Sequence, residues 1–302
     1  MAEGRYSLAG RTVLVTGAAR GIGAEAARRM ARRGARLALV GLEADQLASV
    51  AASCGRDAIW LEADVTDRAA LEDAVETTVR TLGGIDVVIA NAGIGAGGML
   101  VRSDPQAIER VLEINLIGAV RTLRLCLPHV IERRGYMVPV LSIAALVQAP
   151  GLAAYAASKA GLEAFTNSLR IEVGHLGVGV GTAYFSWIET EMAKAIEDRR
   201  DFAVMRSSRG GPLAKTYPVS VAADALVDGV ERRARFVAAP GWIRAMLVLR
   251  GVLQPLVERR VRDKMPELDR LSAEEAERLG ERADAPMGPG GEAALRSPAA
   301  SR

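Results

Sequence analysis

Apolar residues in this chain gather into short runs, separated by stretches whose apolar positions recur at helical spacing. The first run, Thr12-Val-Leu-Val-Thr16, ends in glycines and leads into an alanine-rich helical stretch, Ala24 to Arg33, closed by Gly34. Arg36 to Val40 follows, then Ala58 to Leu61 with a helix from about Asp67, and Ile85 to Ala90 with a helix from about Asp104. Met137 to Leu141, a helix from about Ala153, Val178 to Tyr184, a helix near Val219 to Arg233, and Phe236 to Ala238 complete the series. Strands alternating with helices form βαβ units, and right-handed crossovers assemble these into a parallel sheet covered on both faces. The runs are continuously apolar, as expected of strands buried on both sides. The pattern therefore predicts an α/β fold: a doubly wound, Rossmann-like parallel sheet of about seven strands, with a C-terminal helical extension.

The domain reading is residues 1–240 for the α/β unit, including a lid at 192–218, then a helical extension at 241–283 and a tail at 284–302. The tail is rich in Gly, Pro, Ala and Ser, a composition that predicts disorder. Pro255 is expected to interrupt the apolar, arginine-flanked stretch Trp242 to Arg260. Pro128 falls mid-helix and should kink it. Pro139 falls inside a central strand, where its missing N–H must break the ladder.

Composition narrows the function classes. A formal charge of +3 on 302 residues gives no field that would recruit nucleic acid. Two cysteines, Cys54 and Cys126, are too few for a disulfide framework or a cysteine metal cluster, and fit a reducing, cytoplasmic setting. His129 and His175 have no carboxylate cluster beside them, so no metal is expected. The N-terminus lacks the apolar core of a signal peptide, and no uninterrupted apolar run reaches the roughly 18 residues of a spanning helix.

The chemistry begins at Thr16-Gly-Ala-Ala-Arg-Gly-Ile-Gly23, where the first strand turns into the first helix. Gly17 permits a tight turn, Gly21 lets backbone approach a pyrophosphate, and Gly23 lets helix pack on strand. The exposed helix N-terminus attracts phosphates. The spacing is Thr-Gly-x-x-x-Gly-x-Gly, and in this the chain resembles the short-chain dehydrogenase/reductase family. The resemblance runs from about Thr12 to Met192, and more loosely to Ala239. Asp64-Val65, after the third strand, matches the family's adenine-side pair, and Asn91-Ala92-Gly93, ending the fourth, matches its Asn-Ala-Gly.

Tyr155-Ala-Ala-Ser-Lys159 places a phenol and an ammonium on one helix face. A free phenol has a pKa near 10, too high for efficient proton exchange near neutrality, and an adjacent cation is expected to lower it. Ser142 lies thirteen residues earlier at a strand end, and Asn115 lies in the helix before that strand. On its own, Tyr-x-x-x-Lys is an ordinary surface pair; with Ser142, Asn115 and the glycine turn it becomes a site. The resemblance implies that Tyr155 exchanges a proton with the substrate oxygen as hydride moves. It also implies that Lys159 tunes Tyr155 and holds the nicotinamide ribose, that Ser142 orients the substrate oxygen, and that Asn115 holds a relay water. Cofactor contacts are implied at Gly17, Arg20, Gly21, Ile22, Gly23, Asp64, Val65, Asn91, Ala92, Gly93, Tyr155, Lys159, Ile188 and Thr190.

Two departures matter. Phe185-Ser186 stands where the family has Pro-Gly, although Thr190 matches. Phe185 therefore either walls the substrate pocket or fills core. No acidic residue ends the second strand: Gly41 stands there, followed by Leu42 and Glu43, and with Arg20 in the glycine turn this favours NADP(H) over NAD(H). The expected activity is NAD(P)-dependent hydride transfer between nicotinamide and an alcohol/ketone carbon, with a lipophilic substrate favoured. The alternative is a non-catalytic NAD(P)-sensing protein of the same fold, which would have no need of Tyr155 or Lys159. A homo-oligomer is expected. For 242–260, packing against the lid or a second subunit is favoured over peripheral membrane contact.

Overall fold

The computed structural model describes residues 5–200, 202, 215–280, 283 and 285–297. Its strands are β1 (Thr12–Thr16), β2 (Arg36–Gly41), β3 (Ala58–Glu62), β4 (Val87–Ala90), β5 (Tyr136–Ser142), β6 (Gly179–Val180), β7 (Thr182–Phe185) and β8 (Phe236–Ala239). All pair in parallel, in the order β3-β2-β1-β4-β5-β7-β8, with β6 also on β5. The chain reverses its direction of winding between β1 and β4. A crevice opens there beyond the carboxyl ends of the strands, which is where such sheets bind ligands. Alternate strand residues feed two cores: Leu14, Ala38 and Val40 face one layer, Val13, Val15, Leu37 and Leu39 the other.

The helices are α1 (Gly21–Ala31), α2 (Ala44–Cys54), α3 (Arg68–Leu82), α4 (Pro105–Leu112), α5 (Ala119–Glu132), α6 (Ala153–Val173), α7 (Glu191–Glu197) and α8 (Val219–Glu231). Then come α9 (Ile243–Arg262), α10 (Met265–Leu279) and α11 (Gly288–Arg296). Asp67 and Asp104 cap α3 and α4 through their carboxylates, satisfying backbone N–H groups that the first turn leaves unpaired. A π-helical turn, Glu113–Gly118, joins α4 to α5 and makes one helix of Pro105–Glu132. That helix is long and apolar enough to cross a bilayer, yet Val111, Ile114, Leu123, Cys126 and Val130 are buried in the core.

Pro139 acts as its chemistry requires. Gly181 donates to the Met137 carbonyl at 2.9 Å, and the next rung would need an N–H from residue 139. Pairing on that side stops after Met137↔Val180 and resumes at Val140↔Ala183, so one expected strand becomes β6 and β7. Pro255 does not interrupt the extension: α9 runs through it, as α5 runs through Pro128. Each loses one hydrogen bond that neighbouring turns tolerate. The tail departs from expectation too. Residues 288–296 are helical, with Pro289 in the first turn, where its missing N–H costs nothing. Composition carried no trace of the tertiary contacts that order it. Of the expected lid at 192–218, residues 192–200, 202 and 215–218 are described, including Phe202 and Tyr217, while Val204, Met205 and Leu213 lie outside the described residues.

Candidate active site

Gly17 and Gly21 have φ of +63° and +56°, left-handed values that side chains disfavour. A Cβ on Gly17 would sit 2.8 Å from the Ala92 Cα, and one on Gly23 would sit 2.5 Å from the Gly17 carbonyl oxygen. The turn is thus pressed onto the end of β4. Asn91 fastens it there: its amide donates to the carbonyls of Thr16 and Gly17 at 3.1 and 3.0 Å. Ile22 lines the crevice beside Gly17, Arg20 and Gly21, and the start of α1 is open to it. This is a cradle that fits the pyrophosphate of a dinucleotide.

The four residues expected to carry the chemistry come from three elements. Asn115 sits in the π-helical turn, fully buried, and its amide clasps Ile94 in both directions, accepting from the N–H at 2.8 Å and donating to the carbonyl at 2.9 Å. Its side chain is therefore a brace for the Gly93–Ile94 corner. Lys159 in α6 is buried and donates to the Val140 carbonyl at 3.0 Å. Its Nζ lies 5.7 Å from the centroid of the Tyr155 ring, and Ser142, at the end of β5, lines the same crevice. Burial pushes Lys159 down to about 8. Burial also pushes the Tyr155 phenol above its ordinary value, with the Ser142 hydrogen bond working against that shift. The expected lowering of the phenol is corrected: desolvation is the larger effect and the phenol is raised, while the same burial weakens the ammonium beside it.

Ile188 is buried and bridges to Tyr217; Thr190 caps α7, its methyl lying against Gly21. Both line the crevice, as do Asp64, Val65, Ala92 and Gly93. Phe185 turns out to serve both roles open to it, since it is buried in the core and also walls the crevice.

The crevice has a volume of about 980 Å³. Beyond Tyr155 its walls are mainly apolar, from Val147, Leu152, Phe185, Met192, Met246 and Leu253. Gln148 and Ser186 are the added polar groups, and Arg259 and Arg260 stand at the rim. The wall from α9 was not evident from sequence, because its apolar positions occupy more than one face. Val261 and Ile196 both pack against the cluster of Phe202, Leu268 and Met287, which joins α9 to the lid, whereas Val248, Leu249 and Val252 on α9 are exposed. Among the described residues no group of His, Cys, Asp or Glu has the geometry to hold a metal.

The adenosine end is built from charges. Arg20 Nε donates to Glu43 at 2.9 Å, and its other arm pairs with Glu191. Asp64 accepts from the Thr66 N–H at 2.8 Å and pairs with Arg110 at 3.1 Å. Burial works to raise the Asp64 carboxyl, but hydrogen bonds from Ser297 and Thr66 and the Arg110 charge outweigh it and hold it below the ordinary range. Arg110 and Glu191 carry no local motif and are recognisable only once the chain is folded.

The profile of the short chain dehydrogenase family matches residues 11–201, a span that holds the glycine turn, Asn115, Ser142, Tyr155 and Lys159. The chain belongs to the short-chain dehydrogenase/reductase family. It is similar to the 11-beta-hydroxysteroid dehydrogenase 1A of Arabidopsis thaliana, at 32% identity over 83% of this chain and 74% of that one. It is also similar to an uncharacterized NAD-dependent oxidoreductase of Mycobacterium tuberculosis (strain CDC 1551 / Oshkosh), at 36% identity over 62% of this chain and 74% of that one. A crystal structure of a dehydrogenase/reductase from Sinorhizobium meliloti 1021 superposes with a TM-score of 0.70 at 28% identity, covering 78% of this chain and 96% of the other. This short-chain dehydrogenase/reductase is an oxidoreductase that uses a nicotinamide cofactor.

Proposed function

We propose that the enzyme interconverts an alcohol and a ketone on a lipophilic substrate, with NAD(H) as cofactor. The observation that carries the reaction class is the convergence of Ser142, Tyr155 and Lys159 where the glycine-turn crevice meets an apolar chamber. A bound nicotinamide supplies or accepts the hydride. In the reductive direction Tyr155 gives its hydroxyl proton to the carbonyl oxygen, and in the oxidative direction it takes the alcohol proton. Ser142 holds that oxygen within reach, and the buried Lys159 ammonium favours the phenolate that forms. The raised phenol suits the role of acid, since it stays protonated until the substrate oxygen demands the proton. A protein that only sensed the cofactor would not need these three groups assembled around one reacting position.

Arg20 beside Gly41 points to NADP(H) when read from sequence, but its surroundings support NAD(H). The guanidinium is shared by Glu43 and Glu191, so the cluster carries one net negative charge. A 2′-phosphate would meet that charge and would have to displace Glu43, whereas ribose hydroxyls can donate to it. The test is a panel of aliphatic, cyclic and steroidal ketones and alcohols, followed by nicotinamide absorbance with NAD(H) and NADP(H) in parallel. Turnover of lipophilic members with NAD(H) is expected; turnover confined to sugars or short hydroxy acids would overturn the substrate class.

A further inference from the structure

The segment Met287–Ser297 crosses the cofactor crevice from end to end. At one end the Met287 N–H donates to the Gly95 carbonyl at 2.7 Å, next to Gly93 and Ile94, while its side chain is buried with Phe202 and Leu268. In the middle, Gly290 faces the Arg20–Glu43 pair: a Cβ there would lie 3.9 Å from the Arg20 Cδ and 4.0 Å from a Glu43 oxygen. At the far end the Ala294 carbonyl accepts from Arg110 Nη2 at 3.0 Å, and Ser297 is buried. Arg110 is the latch, since the same guanidinium holds Thr66 and Asp64 of the adenine-side loop. Gly290, Gly291 and Ala294 line the crevice together with Gly17, Leu42 and Val65.

We propose that residues 287–297 are part of the dinucleotide site, forming a clasp over the adenosine half that must open for the cofactor to enter or leave. The inference rests on the nicotinamide cofactor, not on the substrate or on turnover. The small side chains on the crevice side leave room for the ligand, which marks the helix as a wall and not a plug. A nine-residue helix is marginal by itself, so its position depends on the contacts just named. Opening therefore breaks a few hydrogen bonds and the burial of two side chains, Met287 and Ala294, and leaves the sheet and its flanking helices intact, which permits exchange while slowing it.

The test compares binding by the full chain, by a chain ending at Met287 and by the full-length Gly290→Leu variant, using NADH, ADP-ribose and nicotinamide mononucleotide. Removing the clasp should speed NADH release about tenfold to a hundredfold and weaken ADP-ribose similarly, leaving the mononucleotide unchanged. Gly290→Leu should block NADH and ADP-ribose without altering the thermal midpoint of the free protein, and it decides the matter should the shortened chain fail to fold. Unchanged release and unchanged binding in both variants would overturn the proposal, and so would tighter binding by the shortened chain. Absence of NADH binding by all three would overturn it together with the cofactor reading. Binding without turnover would leave the clasp standing and remove only the substrate assignment.

Discussion

The two ends of the crevice solve opposite electrostatic problems. At the reacting end, Lys159 and Tyr155 are desolvated and have no carboxylate partner in any ion pair described above; burial shifts both away from their charged forms. At the adenosine end, Arg20, Glu43, Glu191, Asp64 and Arg110 are all ion-paired, and Asp64 stays ionised despite its burial. The difference shows how one crevice can hold a cofactor firmly and still exchange a proton. Ion pairs fix the end that must only bind, while burial without an ion pair disfavours charge on both Tyr155 and Lys159 at the chemical end. Substitutions at the two ends should therefore differ in kind.

The largest effect is expected at Tyr155. Tyr155→Phe removes the transferable proton and almost no volume, so turnover should fall roughly a hundredfold or more with NADH affinity nearly unchanged. A variant that kept a tenth of its activity would dissolve the distinction between the two ends.

Lys159→Met should lower the rate by about tenfold or more and raise the pH at which alcohol oxidation sets in, because the phenolate loses its neighbouring cation. Stability should move the other way. Lys159 titrates near 8 in the folded protein and near its ordinary 10.5 once unfolded, so its burial penalty is complete below pH 8 and disappears as pH rises past 10.5. The Met variant should melt higher than the parent at pH 7, with the gain fading between pH 8 and 10.5. Part of the gain is offset by the lost bond to the Val140 carbonyl. Melting curves across that window give the sign directly, and a variant less stable at pH 7 would show that the ammonium is better solvated than its burial implies.

The reacting end was legible in the sequence because its parts are local patterns. The glycine spacing, Tyr155 with Lys159 four residues on, and Ser142 at the end of an apolar run each report a short piece of backbone. The adenosine end was legible in the glycines, Arg20, Glu43 and the Asp64-Val65 pair, but not in the partners that hold them. Arg110, Glu191 and Gly290 lie in segments separated by 80 residues or more along the chain, and no periodicity connects them. The tail shows the same limit from another side. Its Gly and Pro content predicts disorder when weighed alone, yet in the folded chain residues 288–296 form a helix whose small residues line the crevice. Pro139, by contrast, was read correctly, since a missing N–H acts on its immediate neighbours and needs no tertiary information.

The smallest effect, and the one that separates the two accounts of cofactor choice, is at Glu43 and Arg20. If the Arg20–Glu43–Glu191 cluster rejects a 2′-phosphate by its net charge, Glu43→Gln frees one arm of Arg20 and removes the repulsion. NADPH affinity should then rise about tenfold, the worth of one charge-assisted hydrogen bond, while NADH loses no more than severalfold. Arg20→Ala should weaken NADPH further, since it leaves Glu43 and Glu191 unopposed. Gly41→Asp should change little. A Cβ at Gly41 meets only the Leu47 side chain at ordinary contact distance, and the new charge adds to a repulsion already present. Fluorescence titration of both cofactors against the three variants distinguishes the cases. A parent enzyme that prefers NADPH, and loses ten- to a hundredfold of that affinity alone on Arg20→Ala, would make Arg20 a phosphate ligand. The ion pairs around it would then be contacts that the phosphate replaces.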